Sequence, residues 1–294
     1  MRAYALLLIG SSVSFGATEA RAEQPRFEVV ARGATVQAAI GMSRAGYRLT
    51  GDVGGESAGM RSFGRRWLLS WDVLVSGRVG VLANKEPYLS LFGMRASAFV
   101  EPAYRFFDHG WSPVVSARLG GDASVLWNPL ASLADLRTLN DMDGVGGVVA
   151  RGLVRGGGGA SFLDGRRSLL LQFFAQEVLQ AHGVNSDGKA LSEIGVGARF
   201  DWTWGVSAAF EATAGTTLGL EDPALQRTSR TTRIGAAGSA RKIFANGMWL
   251  ALFASIARDS QHVTYEATQT SFVTGDPADV TFGAAFGVSL WRPR

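Results

Sequence analysis

The sequence of 294 residues predicts an all-β chain, a transmembrane antiparallel up-and-down β-barrel of about twelve strands, with ten as the alternative. Three observations lead there. Strand-length segments alternate at period two between an apolar face and a small or polar one. The joints between them alternate short and long. Glycine, with 38 residues, is near 13% of the chain, roughly twice its usual ~7% share, yet shows neither a Gly-X-Y period nor the proline content of a linker.

The chain opens with a basic Met1-Arg2 and an uncharged, mostly apolar run from Ala3 to Phe15. Ala20-Arg21-Ala22 then offers a small-x-small cleavage pattern before Glu23. This reads as a cleaved signal peptide over residues 1–22, leaving 23–294 as a single barrel domain. Removing Arg2, Glu19 and Arg21 leaves 27 basic and 24 acidic residues, a net charge of +3. The longest later uncharged run, Ile243 to Ala257, contains Asn246-Gly247 and is short of the ~20 residues that a spanning helix needs.

Period two is clearest between Glu193 and Trp204. Ile194, Val196, Ala198, Phe200, Trp202 and Trp204 fall on one face, and Glu193, Gly195, Gly197, Arg199, Asp201 and Thr203 on the other. The same separation recurs over 67–76, 206–215 and 280–290. Such stripes match the ~9–11 residues of a tilted membrane-crossing strand, and Trp67, Phe106, Trp204, Trp249 and Trp291 stand near strand ends, where interfacial girdles lie. The opposite faces, rich in Gly, Ser, Thr and Arg, suit a lumen.

From residue 65 the pattern predicts strands at 65–82, 88–107, 111–127, 144–162, 166–181, 191–204, 205–220, 229–244, 247–266 and 279–291. Tight joints fall at 108–110, 164–165, 204–205 and 246–247, and longer ones at 128–143, 182–190, 221–228 and 267–278. Barrels of this kind have short periplasmic turns and longer external loops, so the tight joints are expected in the periplasm. The N-terminal part reads either as two strands turning near Ser43-Arg44-Ala45-Gly46, which gives twelve, or as one strand or an insert before ten. In the twelve-strand reading, residues 51–64 form a long periplasmic connection.

Near the C-terminus, Thr281-x-Gly283-x-x-Phe286-x-Val288 carries a polar residue, a glycine and two hydrophobic positions in the last strand. In this, and in its pattern over 26–291, the chain resembles outer-membrane β-barrel proteins of Gram-negative bacteria as a superfamily. It departs from their usual terminal aromatic, since Arg292-Pro293-Arg294 follow Trp291. The resemblance implies residence in the bacterial outer membrane, contact with outer-membrane lipid and lipopolysaccharide, and delivery by the barrel assembly machinery.

The absence of cysteine excludes disulfides, thiolate metal sites, a cysteine nucleophile and a lipoprotein anchor cysteine. With three histidines, catalytic candidates are few. His109 sits in a tight joint, His182 begins a long one, and His262-Val263-Thr264 has Thr where a lipid hydrolase would want Ser. Asp141-Met142-Asp143-Gly144 fails as a calcium loop because the ligand positions fall on Leu139 and Ala150. Gly156 to Gly159 lacks the Lys and Ser/Thr of a phosphate loop and reads as strand bending or close packing. No catalytic, cofactor or metal site and no nucleic-acid partner is expected.

Carried through the strands, the alternation turns Arg78, Arg95, Arg105, Arg118, Arg151, Arg155, Arg199, Arg233 and Arg241 inward, with Asp72, Glu101, Asp122, Glu193, Asp201, Glu211 and Asp259. Nine positive groups face seven negative ones, a balance that calls for cross-strand pairing. Two uses of such an interior stand open: a narrow passive pore orienting a small polar solute, or a salt-bridged filling of a structural or surface-interaction barrel. A membrane-embedded lipid hydrolase built on His262 is the third. Asn128 to Asp143 reads as a helix capped by Asn128 with a Leu stripe, placed to fold over the barrel mouth or to rest on its rim.

Overall fold

A computed structural model describes residues 27–43, 46–83, 89–108, 110–127, 147–182, 189–217, 220–222, 227–265, 270–275, 278–290 and 293. The proposed signal peptide, the helix over 128–143, His109 and Trp291 lie outside these residues. The segments are β1 (Glu28–Ser43), β2 (Gly46–Phe63), β3 (Trp67–Ala83), β4 (Leu89–Arg105), β5 (Gly110–Trp127), β6 (Gly147–Leu163) and β7 (Arg167–His182). They continue with β8 (Lys189–Trp202), β9 (Val206–Thr217), β10 (Leu220–Asp222), β11 (Arg227–Ile243), β12 (Met248–Tyr265), β13 (Thr270–Gly275) and β14 (Asp279–Ser289).

Every pairing is antiparallel and the sheet closes on itself, β1 pairing with β14 as well as with β2. Twelve strands form the ring. β10 and β13 are short segments that prolong the pairing of β11 and β12 beyond β9 and β14, each with a one-residue slip: Thr232↔Thr216 but Ser229↔Leu220, and Ala257↔Asp279 but Ser260↔Gly275. β13 thus occupies a stretch expected to be loop.

The stagger of the ring fixes its dimensions. Stepping through paired residues from Met42 to Val280, Ile256, Ala236, Ala212, Val196, Phe173, Gly158, Val115, Tyr104, Trp67 and Phe63 ends two places beyond the Arg61↔Glu28 pair. The path returns about 16 residues lower on β1 than it began, which for twelve strands gives a tilt near 43° and a backbone radius of about 12 Å.

β2 corrects the sequence reading. Residues 51–63 are strand, paired with β3 throughout and with β1 as far as Arg61. The outward positions here are Gly51, Val53, Gly55, Ser57, Gly59 and Arg61, so the apolar stripe that marks other strands is missing, and period two was invisible. The β2–β3 joint is therefore as tight as the rest. Five tight joints each carry a glycine in the left-handed region, Gly64, Gly110, Gly165, Gly205 and Gly247, with φ between 60 and 86°. At Gly205 and Gly247 the need is also steric, since an added Cβ would lie 2.5 Å from the Ile243 carbonyl oxygen and 2.7 Å from that of Ser289.

The outer surface has the expected belt of exposed Leu, Ile, Val and Phe. At the turn end it is ringed by aromatics in contact: Trp67 with Tyr104, Tyr104 with Phe106, Trp111 with Phe162, and Trp202 stacked on Trp204. Trp249 does not join them. It points inward, is buried, and lies beneath the Arg241 guanidinium at 4.6 Å. Both parities of Met248–Phe253 are apolar, so alternation could not choose between them; the turn at Asn246-Gly247 does.

The interior also holds apolar side chains, at the turn end. Leu68, Ala103, Val114 and Leu170 pack together, as do Phe27, Val29 and Met60, and Leu163 touches both groups. Ile243, Trp249, Ala251 and Ala285 form a third cluster with Ala31. Because Phe27 is beside β1 and Leu163 on β6, this contact spans the bore.

Candidate functional site

Above that apolar floor the interior is polar, and its side chains meet across the lumen as well as along the wall. Arg155 on β6 donates from Nη1 and Nη2 to Glu211 on β9 at 2.7 and 2.9 Å. Arg118 on β5 reaches the same carboxylate at 3.2 Å. β6 and β9 are separated by two strands, so the bridge crosses a chord of the ring. A second crossing joins Arg241 on β11 to Glu56 on β2. A third runs from Gln172 on β7 to Glu101 on β4, where the amide donates at 2.7 Å to the carboxylate and lies 2.7 Å from Ser116 Oγ on β5.

Local structure explains why these arginines hold still. Arg155 lies 3.7 Å from the centre of the Phe174 ring and Arg118 4.9 Å from that of Phe99, so each guanidinium stacks on an aromatic face while its edge bonds the carboxylate. Arg155 donates a further bond to Gln176 Oε1 at 2.8 Å, and Gln176 in turn donates to Glu193 at 2.5 Å. The rings themselves need inward glycines as neighbours. A Cβ on Gly195 would sit 2.6 Å from Phe174, and one on Gly287 2.8 Å from Trp249. The Gly156–Gly159 run lies in β6, fully paired to β5 and β7, and a Cβ at Gly159 would meet the Leu171 carbonyl oxygen.

Toward the loop end the pairs run along the wall. Arg78 makes a bidentate contact with Asp52 at 2.8 and 3.1 Å, and Arg151 meets Asp122 at 3.1 Å. Arg95 sits among these four groups. Arg233 faces Asp259 at 3.7 Å. Nearer the turn end Arg199 pairs with Asp201, which also accepts from Ser207 at 2.8 Å. Asp72 points into the same space as Arg199 and Glu56. Arg105 serves the turns instead. Fully buried at the turn end, it donates to Ser161 Oγ and to the carbonyls of Arg65, Asp108 and Gly110, tying neighbouring segments together.

Two acids escaped the sequence reading, Asp52 and Glu56, because β2 had no phase. Both are paired to arginines named from the sequence, Asp52 to Arg78 and Glu56 to Arg241. Gln172 and Gln176 were legible as inward residues of β7, opposite Leu171, Phe173 and Ala175, but an inventory limited to charges passes over them. Between the apolar floor and the Arg155–Glu211–Arg118 bridge lies a cavity of about 530 Å³, walled by Asp72, Glu101, Gln172, Arg199 and Arg241 among others.

Among the described histidine side chains, that of His262 stands apart from this network. His182 is the last residue of β7. His262 is on the outer face of β12, with Nε2 3.4 Å from Thr232 Oγ1. Outside the membrane-crossing part, burial alone would raise the Asp164 carboxyl, but the backbone N–H groups of Arg167 and Arg166 and the Arg167 guanidinium outweigh it and hold the group below its ordinary value.

A closed ring of twelve antiparallel strands, with an exposed apolar belt outside and charged groups within, has the form of a transmembrane β-barrel. No family model matches the chain, and no curated protein sequence does. Among solved structures it is similar to the β domain of the Bordetella autotransporter BrkA, with 12% identity over 88% of this chain and 99% of that one and a TM-score of 0.33. OmpT, an outer-membrane protein of Vibrio cholerae, shows 7% identity over 88% and 98%, with a TM-score of 0.34. The outer-membrane protease OmpT of Escherichia coli shows 9% identity over 92% and 98%, with a TM-score of 0.22. These likenesses concern the fold alone.

Proposed function

We propose that the protein is exported by its signal peptide to the outer membrane, with the tight turns in the periplasm, and acts there as a narrow passive pore for small polar solutes. The observation that carries this reading is the Arg155–Glu211–Arg118 bridge. It narrows the lumen at mid-height yet keeps its carboxylate 34% exposed to the interior space. Fixed charges of both signs in near balance would orient a dipolar solute and give little preference between anions and cations. The barrel assembly machinery and lipopolysaccharide are the partners in this reading, and no side chain is given a catalytic role.

The Phe27, Met60 and Leu163 contact across the turn end favours a second reading, a non-conducting structural or surface-interaction barrel. Planar-bilayer recording of refolded protein separates the two. Small, weakly selective steps that grow in an Arg118→Ala/Glu211→Ala variant support the pore. Silence in both proteins, with normal heat-dependent gel mobility, supports the closed barrel.

A further inference from the structure

At the loop end of the apolar belt, the outer face of β11 and β12 carries an ordered set of polar groups. Lipid-facing positions in a barrel should be apolar through ~25 Å. Arg258 stands ten residues along β12 from Met248, which at the present tilt is about 24 Å above the turn end. It is at the belt's far edge. One register step higher, the row Ser192, Thr216, Thr232 and Ser260 is hydroxylated on four adjacent strands, with Glu177 at its end. Above that row come Arg230 and His262, opposite each other in register. Arg230 is fixed by donating to Thr216 Oγ1 at 2.7 Å, and His262 approaches Thr232.

Beneath these groups the same five strands form a groove of about 1280 Å³. Ala175, Ala212, Ala214 and Ala236 make its floor, and larger side chains such as Phe173 and Ile234 its walls. Arg258 and Ser260 line its upper end.

We propose that this face binds one molecule of a phosphorylated, acylated glycolipid, with an acyl chain in the alanine-floored groove, sugar hydroxyls along the Ser/Thr row, and phosphates at Arg258 and Arg230. Charge and spacing select this occupant. The two arginines are offset by four residues in register, about 13 Å at the backbone, which suits a headgroup carrying two separated phosphates better than a single phosphodiester. Guanidinium forks match phosphate oxygens, and the row of hydroxyls would be wasted on a plain acyl surface. The site rests on the membrane placement proposed above and is independent of whether the lumen conducts.

The test uses the folded protein in nonionic detergent, titrated separately with bis-phosphorylated lipid A and with phosphatidylglycerol, and bound lipid is counted by native mass spectrometry. Wild type should retain one lipid A. Arg230→Ala/Arg258→Ala should bind it at least tenfold more weakly, while Arg61→Ala, an outward arginine near the turn end, should bind as wild type does. Filling the groove with Ala214→Phe/Ala236→Phe should also weaken binding without changing the charge. Undiminished binding by the double-arginine variant overturns the site, and equal affinity for phosphatidylglycerol overturns the choice of glycolipid. Heat-dependent gel mobility reports the fold of each variant, so loss of the barrel is distinguished from loss of the site; Arg→Gln replaces any Arg→Ala variant that fails to fold.

Discussion

Replacing Glu211 by glutamine removes the one carboxylate that two guanidiniums share at mid-lumen. The side chain of Arg155 is only 3% exposed and cannot swing into water. It loses two ion-paired bonds, of 2.7 and 2.9 Å, and the amide oxygen replaces one of them by a weaker bond charged on the donor side only. Bonds to charged groups contribute roughly 1.5–3 kcal/mol each, and the partly wet carboxylate brings the loss to the low end. The 3.2 Å contact of Arg118 is half-open to the lumen and adds under about 1 kcal/mol. The expected cost is about 2 kcal/mol, a roughly 30-fold shift of the folding equilibrium. Urea unfolding in lipid vesicles, followed by tryptophan fluorescence, measures it. Because Arg155 can be replaced by Met against the Phe174 ring, an Arg155→Met, Glu211→Gln cycle should return a coupling of about 2 kcal/mol. A Glu211→Gln variant within about 0.5 kcal/mol of wild type, or a cycle with no coupling, would refute the claim that this bridge holds the interior together.

Other outcomes follow from features at the turn end. Arg105→Met leaves several turn carbonyls without their donor and should cost about 3 kcal/mol, read by the same unfolding assay. Gly247→Ala places a Cβ at φ 86° against the Ser289 carbonyl and should cost about 1–2 kcal/mol, seen as a lower temperature at which the folded gel band disappears. Gly287→Val sets its Cβ 2.1 Å from the Ala34 carbonyl oxygen as well as 2.8 Å from the Trp249 ring, so it should both lower the temperature at which the folded gel band disappears, by loosening the β1–β14 seam, and change the near-ultraviolet circular dichroism of Trp249. Asp164 has a depressed folded-state pKa, so its contribution is present above the unfolded value near 4 and is lost as pH falls through the folded one. At this exposed turn it is worth under about 1 kcal/mol, and Asp164→Asn should flatten stability against pH only below about pH 4.

Strands with one apolar parity, such as Ile194–Trp202 and Val280–Leu290, announced both their extent and their inward charges. Legibility failed where that asymmetry failed. β2 presents glycine and serine outward, so its two acids went unseen, and one of them holds Arg241. β12 begins apolar on both faces, so Trp249 was assigned to the wrong side. The crossings themselves were beyond reach of a pattern read strand by strand. Alternation says that Arg155 and Glu211 point inward, but only the stagger of the closed ring brings residues 56 positions apart to one height.

The seam between β1 and β14 gives the polypeptide an unusual assembly problem. The other neighbours in the ring are joined in chain order and can zip as hairpins soon after both arms exist. The seam alone unites the two ends of the chain: Ser289 accepts from the backbone N–H of Arg32, 257 residues away. Its ten residue pairs cannot begin to form until the last strand has been delivered. Until then both edges carry open rows of backbone donors and acceptors in a lipid environment that cannot satisfy them. Closure therefore acts as a late kinetic checkpoint, and slowing the arrival of β14 should lengthen the life of an open, curved sheet rather than yield a smaller barrel.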